Sequence, residues 1–152
     1  MTKAARAGAL LILLATAARA QDVPVAVEFR FVVDCGAADA SPQIKDVRRG
    51  ESYCLSRKIL LDEDDIDHAE PTTAGAGDPA IRLRFTERGA KRLLKATEDK
   101  VGGRLGMVVN SRLLAAPVIR GPLGQEIVMI GLGSPEEAEA IARALNRKIP
   151  PN

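Results

Sequence analysis

Asp62-Glu63-Asp64-Asp65-Ile66-Asp67-His68 sets the chain's one histidine among five carboxylates. Hard oxygen donors beside an imidazole are what a divalent cation takes. The spacing does not fit a calcium loop of the EF-hand kind: counted from Asp62, the sixth position is Asp67 where glycine is needed, and the twelfth is Thr73 where glutamate is needed. A zinc site wants further His or Cys donors. The main reading of this run is a solvated acidic turn, a charge sign that a helix N-terminus favours. The alternative is a small metal-dependent enzyme or cation-binding protein using Asp64, Asp65, Asp67 and His68. Nucleophilic catalysis has no GxSxG to build on, and Ser134 is better explained as a helix cap. Gly102-Gly103 and Gly131-Leu132-Gly133-Ser134 match neither a Walker loop nor GxGxxG, and both stand where turns are needed. Arg82, Arg84, Arg104, Arg112 and Arg120 lie on or beside predicted strands and can form a basic sheet face, which is most often simply solvated. No catalytic residue, cofactor or metal ligand is assigned.

The chain around these residues has 152 residues, one-domain size. Lys3 and Arg6, then the apolar run Ala9 to Ala18, then Ala18-Arg19-Ala20 read as a secretory signal peptide cleaved after Ala20. The run is too short to cross a bilayer core, which takes about 20 residues. Losing Lys3, Arg6 and Arg19 leaves 19 basic residues against 20 acidic ones, so the mature chain is close to neutral. With no basic stripe and no Trp, nucleic acid is not an expected partner. Two cysteines, Cys35 and Cys54, in an exported chain argue for a disulfide; a pair of free thiols is the alternative. A bridge over that separation is worth about 3 kcal/mol in the chain-entropy model. It matters because Phe29, Phe31, Phe85 and Tyr53 are the only aromatic residues, leaving the core to aliphatic side chains.

Val23 to Asp34 alternates with Val25, Val27, Phe29 and Phe31 on one face, a half-buried strand. Residues 37–50 read as a surface loop, 51–61 as a second strand, 62–70 as a helical turn or loop, and 71–79 as a flexible connection. Ala80 to Phe85 is a strand, and Thr86 caps a helix from Glu87 to Val101 that Gly102-Gly103 stops. Leu93, Leu94, Thr97 and Val101 recur there at helical spacing. Three short strands follow: Arg104 to Val109, Leu113 to Ile119 and Glu126 to Ile130, with Asn110-Ser111 as a tight turn. Ser134-Pro135-Glu136-Glu137 opens a final helix, Pro135 to Lys148, with a capping box. The fold class expected is α+β, a mixed or antiparallel sheet with two main helices on one face.

Several of these residues resemble the first periplasmic domain of SecD, an accessory subunit of the Sec protein-export machinery. They are Leu61 with the acidic turn carrying Ile66 and Ala69, Phe85-Thr86-Glu87-Arg88-Gly89-Ala90, Ala96-Thr97, and Val101-Gly102-Gly103-Arg104-Leu105. Met107-Val108-Val109-Asn110, Ala115-Ala116-Pro117-Val118-Ile119 and Ser134-Pro135-Glu136-Glu137-Ala138 with Leu145 continue the string. The resemblance covers roughly residues 60 to 148, the head part of that domain, and implies a ferredoxin-like or SecD-head-like fold without a reactive centre. The organisation expected is a signal peptide over 1–20, a strand pair with a disulfide loop over 21–61, the head-like domain over 62–148 and a tail over 149–152. The function expected is that of an exported periplasmic binding module whose partner is a protein or peptide of the cell envelope, with a structural envelope protein as an alternative. The candidate contact surface is the edge and loop made by Ala115, Ala116, Pro117, Val118, Ile119, Arg120, Pro122 and Leu123, where prolines withhold backbone donors.

Overall fold

A computed structural model describes residues 24–148; the signal peptide reading on residues 1–20 and the tail at 149–152 lie outside the described residues. The first half runs β1 (Val27–Val33), β2 (Ile44–Lys45), β3 (Ser52–Leu55), β4 (Leu61–Asp62), a 3-10 turn (Glu63–Asp65) and β5 (Ile66–Ala74). The second half runs β6 (Asp78–Phe85), α1 (Glu87–Thr97), β7 (Leu105–Val109), β8 (Arg112–Ala115), β9 (Glu126–Met129) and α2 (Pro135–Lys148). These form two sheets and two helices in an α+β arrangement.

β1 is the hub of the larger sheet. The predicted alternation holds: Val27 and Phe29 are fully buried, and Val25 and Phe31 pack on the same cluster. One edge of β1 pairs antiparallel with β7, from Val27 opposite Val109 to Phe31 opposite Leu105. The other edge carries β4 and β3 in turn. The single strand expected over 51–61 is therefore two strands. Ser56 and Leu60 donate backbone hydrogen bonds to Phe31 and Phe29, and the residues between them loop out. Arg30 holds that loop, reaching the Ser56 and Arg57 carbonyls while pairing with Glu28 at 2.7 Å.

At the far side β2 pairs with β3, and the chain then turns to meet β8. Asp46 bridges to Leu113, and the Val47 N–H donates to the Leu113 carbonyl at 2.9 Å. The larger sheet thus curls until its two ends touch, enclosing a small second cluster of Leu55, Val108 and Leu113. That explains why β7 is buried on both faces. Gly106 suits that crowding, because a Cβ would sit 2.9 Å from the Leu55 side chain and 3.3 Å from the Arg30 carbonyl, and the neighbours would have to shift. Cys35 and Cys54 are disulfide-bonded, tying the chain just past β1 to its neighbour β3.

The smaller sheet, β5-β6-β9, corrects two expectations. Residues 66–74 are a strand rather than a turn or loop, and 71–79 are the tip of a hairpin rather than a flexible connection. Gly75 and Gly77, both with positive φ, make the turn. Two prolines disguise this hairpin in the sequence. The Phe85 N–H bonds the Gln125 carbonyl, so Ile81, Leu83 and Phe85 turn their backbone groups toward β9, and the alternate residues turn theirs toward β5. Pro79 then points its missing donor past the end of β9, and Pro71 points its own to the outer edge of β5. Neither costs a ladder hydrogen bond. Asn146 closes that outer edge, accepting from the Ala69 N–H at 2.9 Å and donating to the Ala69 carbonyl at 2.8 Å.

The main core lies between the two sheets, where Phe29 of β1 meets Phe85 of β6 edge-on at 5.6 Å. α2 lies on β5 and β6, with Ala138, Ile141, Ala142 and Leu145 buried as its spacing predicts. Its cap differs from the expected box. Ser134 Oγ accepts from the Glu137 N–H, but the Glu137 carboxylate accepts from the Gly133 N–H and pairs with Arg112. α1 packs on the 3-10 turn, β4 and β6 through Gly89, Leu93 and Thr97. It is shorter than expected, ending at Thr97, and Leu94 and Val101 are exposed at 41% and 56%.

Candidate functional site

The acidic run is divided among separate partners. Asp62 caps the 3-10 turn, accepting from the Asp64 N–H. Asp65 is 1% exposed and takes Arg92 at 3.0 Å and Arg88 at 3.3 Å. Asp67 pairs with Arg84 at 2.8 Å, and Glu63 with Lys148 at 2.8 Å. Burial raises the Glu63 pKa, but hydrogen bonds from Lys148 and backbone N–H groups outweigh it, so its carboxyl sits below the usual range. His68 lies exposed on β5. Among the described residues no three of His, Cys, Asp and Glu are gathered as a metal ion requires. The cluster joins the 3-10 turn to both helices, with two arginines of α1 converging on the buried Asp65.

The 115–123 segment is built differently. Ala115, Ala116 and Ile119 are buried, while Val118, Arg120 and Pro122 are exposed. β8 ends at Ala115, and the chain then runs back beside the start of β7. The Leu105 N–H donates to the Pro117 carbonyl, the Ile119 N–H to Gly103, and the Gly102 N–H to Ile119. Leu123 is pinned by its N–H donating to Thr97 Oγ1 at 2.8 Å. Pro117 accepts from Leu105 at its carbonyl but has no N–H to return, so the pairing between this segment and the start of β7 lacks one ladder bond there.

A cavity opens on each side of this segment. The first, of about 230 Å³, is apolar and lies between the segment and β9; Met107, Pro117, Val118, Leu123 and Val128 are among its walls. β9 has β6 on one side and no strand on the other among the described residues. The hydrogen-bond parity set by Phe85 and Gln125 turns the N–H and C=O of Glu126 and Val128 toward that open edge. Val118 and Val128, 41% and 39% exposed, flank it.

The second cavity, of about 260 Å³, shares Pro117 and Val118 with the first but is basic. Arg48, Arg49, Arg104 and Arg120 line it, with Tyr53 and Asp46. Arg104 is held in place: it donates to the Ala116 carbonyl at 2.7 Å and lies over the Tyr53 ring at 5.6 Å. The Tyr53 hydroxyl donates to Glu51, which together with burial keeps the phenol above its ordinary pKa. The Asp46 carboxylate accepts from the backbone N–H groups of Arg48 and Arg49, bracing the turn that carries them.

The five arginines that looked in sequence like one basic face are therefore split. Arg82 and Arg84 pair with Glu70 and Asp67 on β5, and Arg112 pairs with Glu137. Arg104 and Arg120 join Arg48 and Arg49, which the sequence places in a surface loop. The adjacent Arg48-Arg49 before a glycine was the available signal. What brings it to the site is the curl of the larger sheet, a long-range contact.

Among the described residues no helix is long and apolar enough to cross a membrane. The family model for the SecDF P1 head subdomain matches residues 40–148, reaching upstream of the limit near residue 60 that the motif residues set. The protein translocase subunit SecDF of Thermus thermophilus is 35% identical over 136 residues, covering 78% of this chain and 18% of the relative. The protein translocase subunit SecD of Rhodobacter capsulatus is 30% identical over 99 residues, covering 64% of this chain and 18% of its own length. The chain thus spans about a fifth of the length of these curated relatives. A solved structure of SecDF, described as a membrane component that enhances protein export, superposes with a TM-score of 0.63 at 28% identity, covering 80% of this chain and 62% of that one. SecDF in its super-membrane-facing form superposes at 0.64 and 29% identity, covering 80% of this chain and 18% of the other. With the family model matching from β2 through α2, the 115–123 segment included, this chain belongs to the SecD/SecDF family through its P1 head subdomain.

Proposed function

We propose that this chain is an exported, non-catalytic binding module that holds an extended polypeptide in or beside protein export in the cell envelope. The observation that carries the reading is the open edge of β9 beside an apolar cavity of about 230 Å³. Glu126 and Val128 offer unpaired backbone groups at the spacing of a β-strand, and Val118, Leu123 and Met107 offer apolar surface for alternate side chains of an added strand. Main-chain hydrogen bonds are indifferent to sequence, which suits a module that must accept many polypeptides. The signal peptide read in residues 1–20 and the family's place in a protein translocase support a site of action outside the cytoplasm.

The test is fluorescence anisotropy with a labelled peptide of Val-Thr repeats. Val128→Pro removes an outward-facing donor without touching the β6 ladder, and is expected to weaken binding about tenfold with thermal stability nearly unchanged. Val118→Ser, an exposed position, is expected to weaken it as well. Unchanged affinity in both folded variants would place the binding surface elsewhere.

A further inference from the structure

The basic cavity gathers more arginines than carboxylates. Elsewhere Arg82, Arg84, Arg88, Arg92 and Arg112 each face a carboxylate. In the cavity four arginines face one carboxylate, Asp46, whose Oδ1 already accepts from two backbone N–H groups. Arg48 has an outside partner, Asp78, at 3.2 Å. Arg49 and Arg120 have no carboxylate partner among the described residues. Guanidinium groups gathered around about 260 Å³ repel one another until an anion enters, and their planar forks suit a carboxylate or phosphate. Arg104 is already oriented by Ala116 and Tyr53, so little ordering remains when such a group binds.

We infer that this cavity receives an acidic side chain of the same polypeptide that lies along β9, so that the domain selects extended apolar segments flanked by Asp or Glu. The inference rests on the polypeptide reading above. It follows from continuity: Pro117 and Val118 form a wall common to both cavities, so a chain crossing that ridge leaves an apolar groove with an open strand edge and enters a basic one. A ligand with a backbone satisfies both sides at once. A free anion or a lipid headgroup satisfies only the basic side.

Two labelled peptides decide it, Val-Thr repeats ending in Asp-Asp and the same repeats ending in Asn-Asn. At low ionic strength the acidic peptide is expected to bind about tenfold tighter. That advantage should vanish in concentrated salt, where the screening length falls to about 3 Å. The double variant Arg49→Ala, Arg120→Ala should abolish the advantage, so that the acidic peptide binds no tighter than the neutral one. Equal binding of both peptides at low salt overturns the acidic-residue inference and leaves the β9 reading standing. Failure of both peptides to bind overturns both readings. Sedimentation with phosphatidylglycerol vesicles that requires Arg49 and Arg120, with the two peptides bound alike, assigns the cavity to a phosphate headgroup and overturns the inference.

Discussion

Thr97 is a fully buried hydroxyl at the end of α1, and its environment predicts how firmly the groove is held. Its Oγ1 donates to the Leu93 carbonyl at 2.8 Å and accepts from the Leu123 N–H at 2.8 Å. Thr97→Val keeps the shape and removes the oxygen. The Leu93 carbonyl retains its helix partner, but the Leu123 N–H is left without an acceptor in a half-buried place. An unsatisfied group of that kind costs about 1–3 kcal/mol, and burying a methyl in place of a hydroxyl recovers part of it, so the net loss is about 1–2 kcal/mol. Thr97→Ser is the counterpart. It keeps the acceptor, loses one methyl, and costs about 1 kcal/mol through the small void. The two variants thus have similar urea midpoints by circular dichroism, but they differ at the loop. Amide exchange at Leu123 should accelerate in Thr97→Val and stay at the parent rate in Thr97→Ser, and peptide affinity should follow the same split. If exchange at Leu123 is unchanged in Thr97→Val, or rises equally in both, the hydroxyl does not hold the loop and the reasoning fails.

Three further outcomes are expected. Asp65→Asn removes the charge on which Arg88 and Arg92 converge; because those guanidiniums are 70% and 46% exposed and can return to water, the loss should be about 2 kcal/mol in chemical denaturation rather than the larger figure for a fully buried pair. Gly131→Ala places a Cβ 2.3 Å from the Leu114 carbonyl oxygen at φ +93, and should cost about 3 kcal/mol or more, whereas Gly50→Ala, with open space around it, should cost only the left-handed backbone penalty of about 1 kcal/mol. Glu63 has a depressed pKa in the fold, so its contribution is present above the unfolded value of about 4.3 and is lost as pH falls through the lower folded value. Glu63→Gln should therefore flatten the acid limb of a Tm-against-pH curve; an unchanged limb would refute the pairing with Lys148.

Much of the fold is legible because local patterns settle it. β1, β6 and α2 each carry enough periodicity to show their buried face, and the covered second face of β7 shows in Gly106 and Val108. Where the structure departs from the local pattern, a tertiary contact decides. Residues 66–79 contain two prolines and a glycine-rich turn, locally the composition of a loop. They form a hairpin because tertiary pairing leaves each proline's missing donor on a side where no ladder bond is needed. Residues 51–61 split because the chain loops out between two contacts with the same edge of β1. Leu94 and Val101 looked like core at helical spacing, yet the close seat of Gly89 against Asp65 sets which stripe of α1 faces inward.

The candidate site divides along the same line. From the sequence come the segment 115–123, its prolines and its family likeness, all properties of neighbouring residues and their order. The sequence also favours the pairing of Cys35 with Cys54 over a pair of free thiols, and the two are bonded. Only the tertiary structure joins Arg48 and Arg49 to Arg104 and Arg120, because that depends on the larger sheet curling until Asp46 meets Leu113. Only it leaves the edge of β9 without a partner strand among the described residues while Asn146 closes that of β5. Local periodicity records which face of a strand is buried; it carries no information on which strand lies beside it, and both the basic cavity and the free edge are facts about neighbours distant in the chain.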